Sequence, residues 1–392
     1  MEDDVKVNPL SADTDEEEIK PLITAKLTYE CGSVRHEKVT TQLFEDVLDM
    51  SGSGFARTLK LNTLSAVEPG NYRVIVRHKA GDITLSMIGH LYEDFVRHFM
   101  SAFNEIVFQE SLMSEKVHFE AKGQYVSPTG EAAGAVFRIC ETALVVLPQT
   151  HALGRLLFCL MAEVKNEPYR LTIIDKQGKS HVLQKLGFST DDFLREFGKR
   201  EKELLKQTKE KLGAIAPVSD DLARLLMEGL VVPIEDIRAV SASFAEAIEA
   251  KLTEQIPDEF GYLKSVSSGL AVGIKRGLMG SLTGESIILL ATVHGKVVME
   301  SLGDAAAATY VFDMGQTPWE AFLPAFNESM LAVNFRREPI YMSDEALASE
   351  KHEAYRNAIV RCPALSLLRQ QYIGRVAHSG FEVWQRALQK YL

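Results

Sequence analysis

Along residues 72–103 apolar and polar positions alternate, turn over a glycine, alternate again, and then change to a helical period. Val74 and Val76 point one way between polar neighbours, as a half-buried strand requires. "HKAGD" then places Gly81 where a hairpin turn needs positive φ. After a second short run, "ITLSMI", the segment "GHLYEDFVRHF" carries Phe95 and Phe99, with Phe103 one turn further on, a one-sided stripe at i, i+4, i+8. The same switch recurs at Tyr169–Phe197, with Leu171 and Ile173, "DKQGK", "SHVLQKL" and "GFSTDDFLREF".

The two stretches align in register. Tyr72, Arg73, Lys79 and Gly81 meet Tyr169, Arg170, Lys176 and Gly178 at an offset of 97, and after a one-residue insertion Gly89, Asp94, Phe95, Arg97 and Phe99 meet Gly187, Asp192, Phe193, Arg195 and Phe197. A domain-sized internal repeat follows, each copy a series of short strands closed by one amphipathic helix. Ser189 and Asp192 read as a capping box. "TPWEAFLPAF" repeats the aromatic-Glu-x-Phe spacing once more, with Thr317 as N-cap, Pro318 at N1 and Glu320 at N3, and predicts a third unit of related or other α+β fold. The predicted division is an acidic segment over 1–20, repeats over 21–115 and 116–205, a helical linker over 206–255 capped at Ser219, a third unit over 256–340, and a helical region over 341–392.

The fold class expected is α+β. An antiparallel run of about six or seven short strands closed by a C-terminal helix in roughly 100 residues resembles the pleckstrin-homology (PH)-like superfold. The resemblance rests on the glycine-bearing last hairpin and the closing helices near Tyr92–Phe103 and Thr190–Glu203. It implies tandem antiparallel barrels or sandwiches that bind phosphoinositides, peptides or partner proteins and are rarely catalytic. In lipid-binding members a basic cluster occupies the first hairpin loop. Here that loop is "CGSVRHEKV", where Arg35, His36 and Lys38 surround Glu37, and the second copy offers only Lys122.

Charge narrows the partner classes. Residues 1–18 carry −7 of the formal −11, so the rest is close to neutral, and DNA, RNA or an anionic membrane is not the expected main partner. The chain lacks an apolar run of about 18 residues and begins without a signal-peptide pattern, which leads us to expect a cytoplasmic protein without stable membrane association. Four scattered cysteines, none in a CxxC pair, argue for reduced thiols; no metal or cofactor is expected.

The densest glycine segment, Gly269–Ser286, sets Lys275 and Arg276 beside Gly273 but lacks the order of a phosphate loop; it is expected as a glycine-punctuated loop between strands. His36–Glu37 and His352–Glu353 lack the second histidine of a zinc helix, and Gly52-Ser53-Gly54 reads as a turn. Cys140 and Cys159 sit in apolar runs as core thiols. No catalytic residue is predicted. Binding candidates are Lys275 and Arg276, then Arg336, Arg337, Arg375 and His378 in the basic, aromatic C-terminal third, which suits an acidic peptide, the chain's own N-terminal segment included. The expected function is a non-enzymatic protein-binding scaffold. The alternatives are a peripheral anionic-lipid binder, or an enzyme with a phosphate or nucleotide pocket near Gly269–Ser286.

Overall fold

A computed structural model describes residues 20–112, 116–276, 285–303 and 307–392, without the side chains of Arg276 and Glu285. The acidic segment lies outside the described residues but for Lys20. The chain is α+β, with antiparallel sheets throughout.

The first sheet contains β1 (Ile23–Cys31), β2 (Val34–Leu43), β3 (Val47–Gly52), β4 (Phe55–Lys60), β5 (Leu64–Gly70), β6 (Arg73–His78) and β7 (Ile83–Ser86), followed by helix α1 (Tyr92–Gln109). The second contains β8 (Phe119–Val126), β9 (Ala132–Ile139), β10 (Ala143–Pro148), β11 (Gly154–Leu157), β12 (Met161–Glu167), β13 (Arg170–Asp175) and β14 (Ser180–Gln184), followed by α2 (Thr190–Leu212). Their strand orders are the same, β4-β3-β2-β1-β7-β6-β5 and β11-β10-β9-β8-β14-β13-β12.

The duplication extends to irregular features. A 3₁₀ turn at Leu61–Thr63 recurs at Phe158–Leu160, and a strand irregularity between Leu64 and Ala66 recurs between Met161 and Glu163. Neither sheet closes into a barrel: β4 and β5, like β11 and β12, end their sheets without pairing, and the 3₁₀ turn between them redirects the chain. Gly81 and Gly178 take positive φ (119 and 79) in the predicted turns.

The third unit has a different plan. Helices α3 (Asp220–Leu225), α4 (Ile234–Val240), α5 (Ala242–Gln255) and α6 (Pro257–Val266) lead into β16 (Gly269–Arg276), β17 (Glu285–Val293), β18 (Lys296–Leu302) and β19 (Ala307–Asp313). Helices α7 (Trp319–Ala332), α8 (Glu338–Tyr341), α9 (Asp344–Leu347), α10 (Glu353–Arg361), α11 (Pro363–Gln371) and α12 (Phe381–Gln389) follow.

Two edge strands come from segments expected to be helical: β15 (Val232–Pro233) pairs with β16, and β20 (Tyr372–Ala377) pairs with β19. The order β15 to β20 is sequential, so it does not repeat the plan of the first two sheets. The two-residue β15 blunts one edge of the largely buried sheet, and Pro233 suits that edge because it needs no ladder donor.

Capping differs from expectation at two helix starts. Ser219 caps α3 through a bond from Leu222 N at 3.2 Å, as predicted. Ser189 makes no cap bond; Thr190 Oγ1 instead donates to Gly187 O at 2.7 Å. α7 begins after Pro318, and Thr317 accepts a bond from Gln371 Nε2 at 3.2 Å.

The first unit keeps its own core, in which Phe95, Phe99 and Phe103 of α1 pack on the sheet. The second unit's core is continuous with one face of the third sheet, through residues such as Phe193, Leu230, Met299, Phe312 and Phe326. The opposite face of the third sheet is covered by α4, α5, α6 and α12, with Ile237, Phe244, Phe260 and Trp384.

Candidate functional site

The structure scatters the six predicted binding residues. β16 and β20 are four strand spacings apart, about 19 Å, so Lys275 and Arg375 do not share a site. Gly269–Arg276 is a strand paired along its length with β17, rather than a loop. Residues 277–284 lie outside the described residues, as does the Arg276 side chain. Lys275 Nζ bonds Glu228 Oε2 at 2.8 Å and lies 5.1 Å from the Phe335 ring centroid. Glu228 reaches it from a left-handed backbone (φ 58) next to Gly229 (φ 83). A Cβ at Gly229 would lie 2.9 Å from Lys275 Cβ, so the close approach of the two segments that brings Glu228 to Lys275 needs glycine there.

Arg336 donates to the carbonyl of Leu112 at 2.8 Å and ties the third unit to the chain following α1. Arg337 donates to Ser301 Oγ, and its guanidinium lies 5.7 Å from the ring centroid of buried Tyr310. Arg375, opposite Tyr310 in the β19–β20 ladder, lies 5.5 Å from the same ring and 5.8 Å from Tyr341. These two do converge, on an aromatic patch at the sheet edge.

His378 belongs to a buried polar knot. Its Nε2 is 2.8 Å from Oε2 of Glu300, which is fully buried, and its Nδ1 is 3.6 Å from Glu259 Oε1. Thr309 Oγ1 donates to Glu300 Oε1 at 2.7 Å and accepts from Trp384 Nε1 at 2.7 Å. The Glu300 contact holds the imidazole above its ordinary pKa, while burial raises the Glu300 carboxyl. The knot joins β18, β19, α6 and α12 at the end of β20, and its inner members have no solvent access.

In the first hairpin loop Arg35 is engaged by Glu30 at 2.7 Å and Glu37 at 3.1 Å, and His36 stacks on Phe55 with centroids 4.3 Å apart. Burial pushes the Cys159 thiol up to about 12, which leaves it a packed apolar group.

The cavity that sequence reading missed lies between the second and third units and measures about 890 Å³, within the size class of ligand clefts. One wall is β11, with Leu156 and Leu157, and the β13–β14 hairpin with Lys176 and Lys179. The other is α7, with Trp319, Glu320, Leu323 and Glu328. Val231–Pro233 lies along the cleft, fixed by Asn327, whose amide bonds both Val231 N and Val231 O at 2.8 Å. β11 is the last strand of its sheet: one side pairs with β10 and the other carries no strand among the described residues. The cleft therefore combines apolar walls, an open strand edge, a basic rim on the second unit and an acidic rim on the third. Sequence alone signals only Trp319 and the leucines of "GRLL", more than 150 residues apart.

No protein-family model and no curated protein matches the sequence. Among solved structures, the chain is similar to the C-terminal domain of an unknown protein from Leishmania infantum, at 11% identity and a TM-score of 0.22, over 25% of this chain and 96% of that domain. A likeness at that level fixes neither fold nor function. No helix among the described residues is long and apolar enough to cross a membrane.

Proposed function

We propose that the chain is a protein-binding scaffold whose first two units are PH-like modules, and that its interdomain cleft receives an extended peptide segment of a partner. Support for the PH-like reading comes from the shared order 4-3-2-1-7-6-5 and the closing helix in each repeat. The observation that carries the binding reading is that β11, the last strand of its sheet, lines an apolar cleft. A strand added there gains main-chain hydrogen bonds from β11, while alternate side chains enter the leucine-lined wall. The opposed rims suit a segment bearing both charges.

A display library of random peptides selected on the full chain tests this. Enriched sequences are expected to be extended and apolar at alternate positions, to slow amide exchange at residues 154–157, and to bind Leu156→Asp at least about tenfold more weakly, since a buried charge then faces the peptide. Undiminished binding to Leu156→Asp, with protection elsewhere, would refute the assignment.

A further inference from the structure

The two repeats differ where a tyrosine of the first becomes a threonine in the second, and the change opens a groove distinct from the interdomain cleft. In the first repeat the β5–β6 turn exposes Tyr72, 79% accessible at φ 56, against Tyr92 at the start of α1, with ring centroids 5.4 Å apart. The Tyr92 hydroxyl donates to the carbonyl of Arg73 at 3.2 Å.

In the second repeat Tyr169 keeps the left-handed backbone (φ 61) and is 81% accessible. The position of Tyr92 is now Thr190, whose hydroxyl turns back to Gly187 O. The missing phenol leaves a groove of about 550 Å³ between Tyr169 and the first turn of α2, lined by Pro168, Asp191 and Leu194, with fully exposed Phe188 at its side. A bulky residue at positive φ is strained, and both copies retain it under an exposed aromatic ring.

We infer that this groove binds a tyrosine side chain of a partner protein, which takes the place that Tyr92 fills in the first repeat. The incoming ring packs on Tyr169 and its hydroxyl donates to the carbonyl of Arg170, the counterpart of Arg73. Asp191 at the rim has no ion-pair partner among the described residues, and Glu167, also in the lining, is paired with Arg170 at 3.8 Å. The Asp191 carboxylate favours a cationic residue next to the tyrosine.

The test is a fluorine NMR titration of the full chain with N-acetyl-Lys-Tyr-Lys-amide carrying 3-fluorotyrosine. The wild-type chain is expected to show one saturable site. Thr190→Tyr, which supplies the ring from within, is expected to weaken binding at least about tenfold, and the phenylalanine analogue to bind about three- to tenfold more weakly for want of the hydroxyl. Tyr92→Thr, which opens the first groove, is expected to raise the count to two sites. Absence of saturation on the wild type, or equal binding by Thr190→Tyr folded by circular dichroism, overturns the inference. If Tyr92→Thr does not fold, the Thr190→Tyr comparison decides alone.

Discussion

Replacing His378 by alanine is expected to cost about 3–5 kcal/mol of unfolding free energy, because it strands a buried carboxylate. Glu300 is fully buried and depends on two partners, Thr309 at 2.7 Å and His378 at 2.8 Å. Removing the imidazole leaves a bond from a hydroxyl but no countercharge. Glu300→Gln should cost less, about 1–2 kcal/mol, since the amide oxygen still accepts from Thr309 and the buried charge is gone.

The pair also sets a pH dependence whose sign is fixed. Both folded-state pKa values are raised, that of His378 above 6.5 and that of Glu300 above 4.5. The folded chain therefore holds these protons more tightly than the unfolded chain. The contribution is complete below the unfolded values and fades as pH rises through the folded ones, that of Glu300 from about 4.5 upward and that of His378 from about 6.5 upward. Denaturant unfolding at a series of pH values should show wild-type stability falling as pH rises above about 6.5, where both contributions fade, with the fall reduced in Glu300→Gln combined with His378→Gln. An identical slope in that double variant would show that the knot is not its source.

The repeat was legible because its signals are local. Alternation at Val74 and Val76, glycine at positions 81 and 178, and phenylalanine one helical turn apart each answer to neighbours a few residues away, and the structure places them as strands, turns and sealing helices. The third unit was less legible because its decisive partners are remote. "YIGRVA" borders helical sequence yet becomes β20, since the exposed edge of β19 recruits it. Lys275 resembled an anion ligand because its partner Glu228 lies 47 residues away on a backbone that local sequence does not announce. His378 was picked out for its basic surroundings, whereas its environment is two carboxylates supplied by β18 and α6. The interdomain cleft shows in the sequence only as Trp319 and the leucines of "GRLL", since each wall otherwise reads as ordinary core-facing sequence of its own unit.

Asn104→Ala is expected to uncouple the first unit from the second. Asn104 is a buried residue of α1, one turn beyond Met100, and it reaches the second unit. Its amide donates to the carbonyls of Pro148 and His151 at 2.8 and 3.0 Å and accepts from Leu153 N at 2.8 Å. The corresponding position in the second repeat, 98 residues on, is Lys202, exposed on α2, so the fold of a repeat does not require asparagine there. Docking does. Three hydrogen bonds in a buried contact, worth about 1 kcal/mol each and more where a backbone group is left unpaired, put the loss near 3 kcal/mol. Neighbouring ties, Arg138 with Glu105 at 2.9 Å and Arg361 with Glu110 at 3.0 Å, are partly buried and depend on α1 keeping its place. Because the first unit has a core of its own, the loss should fall on the interface rather than on the unit. Calorimetry of Asn104→Ala should resolve an early transition that the wild type lacks, and amide exchange should quicken at residues 148–153 while the strands of the first sheet stay protected. A single transition shifted as a whole would instead mean that α1 is integral to both units and that the two repeats unfold as one.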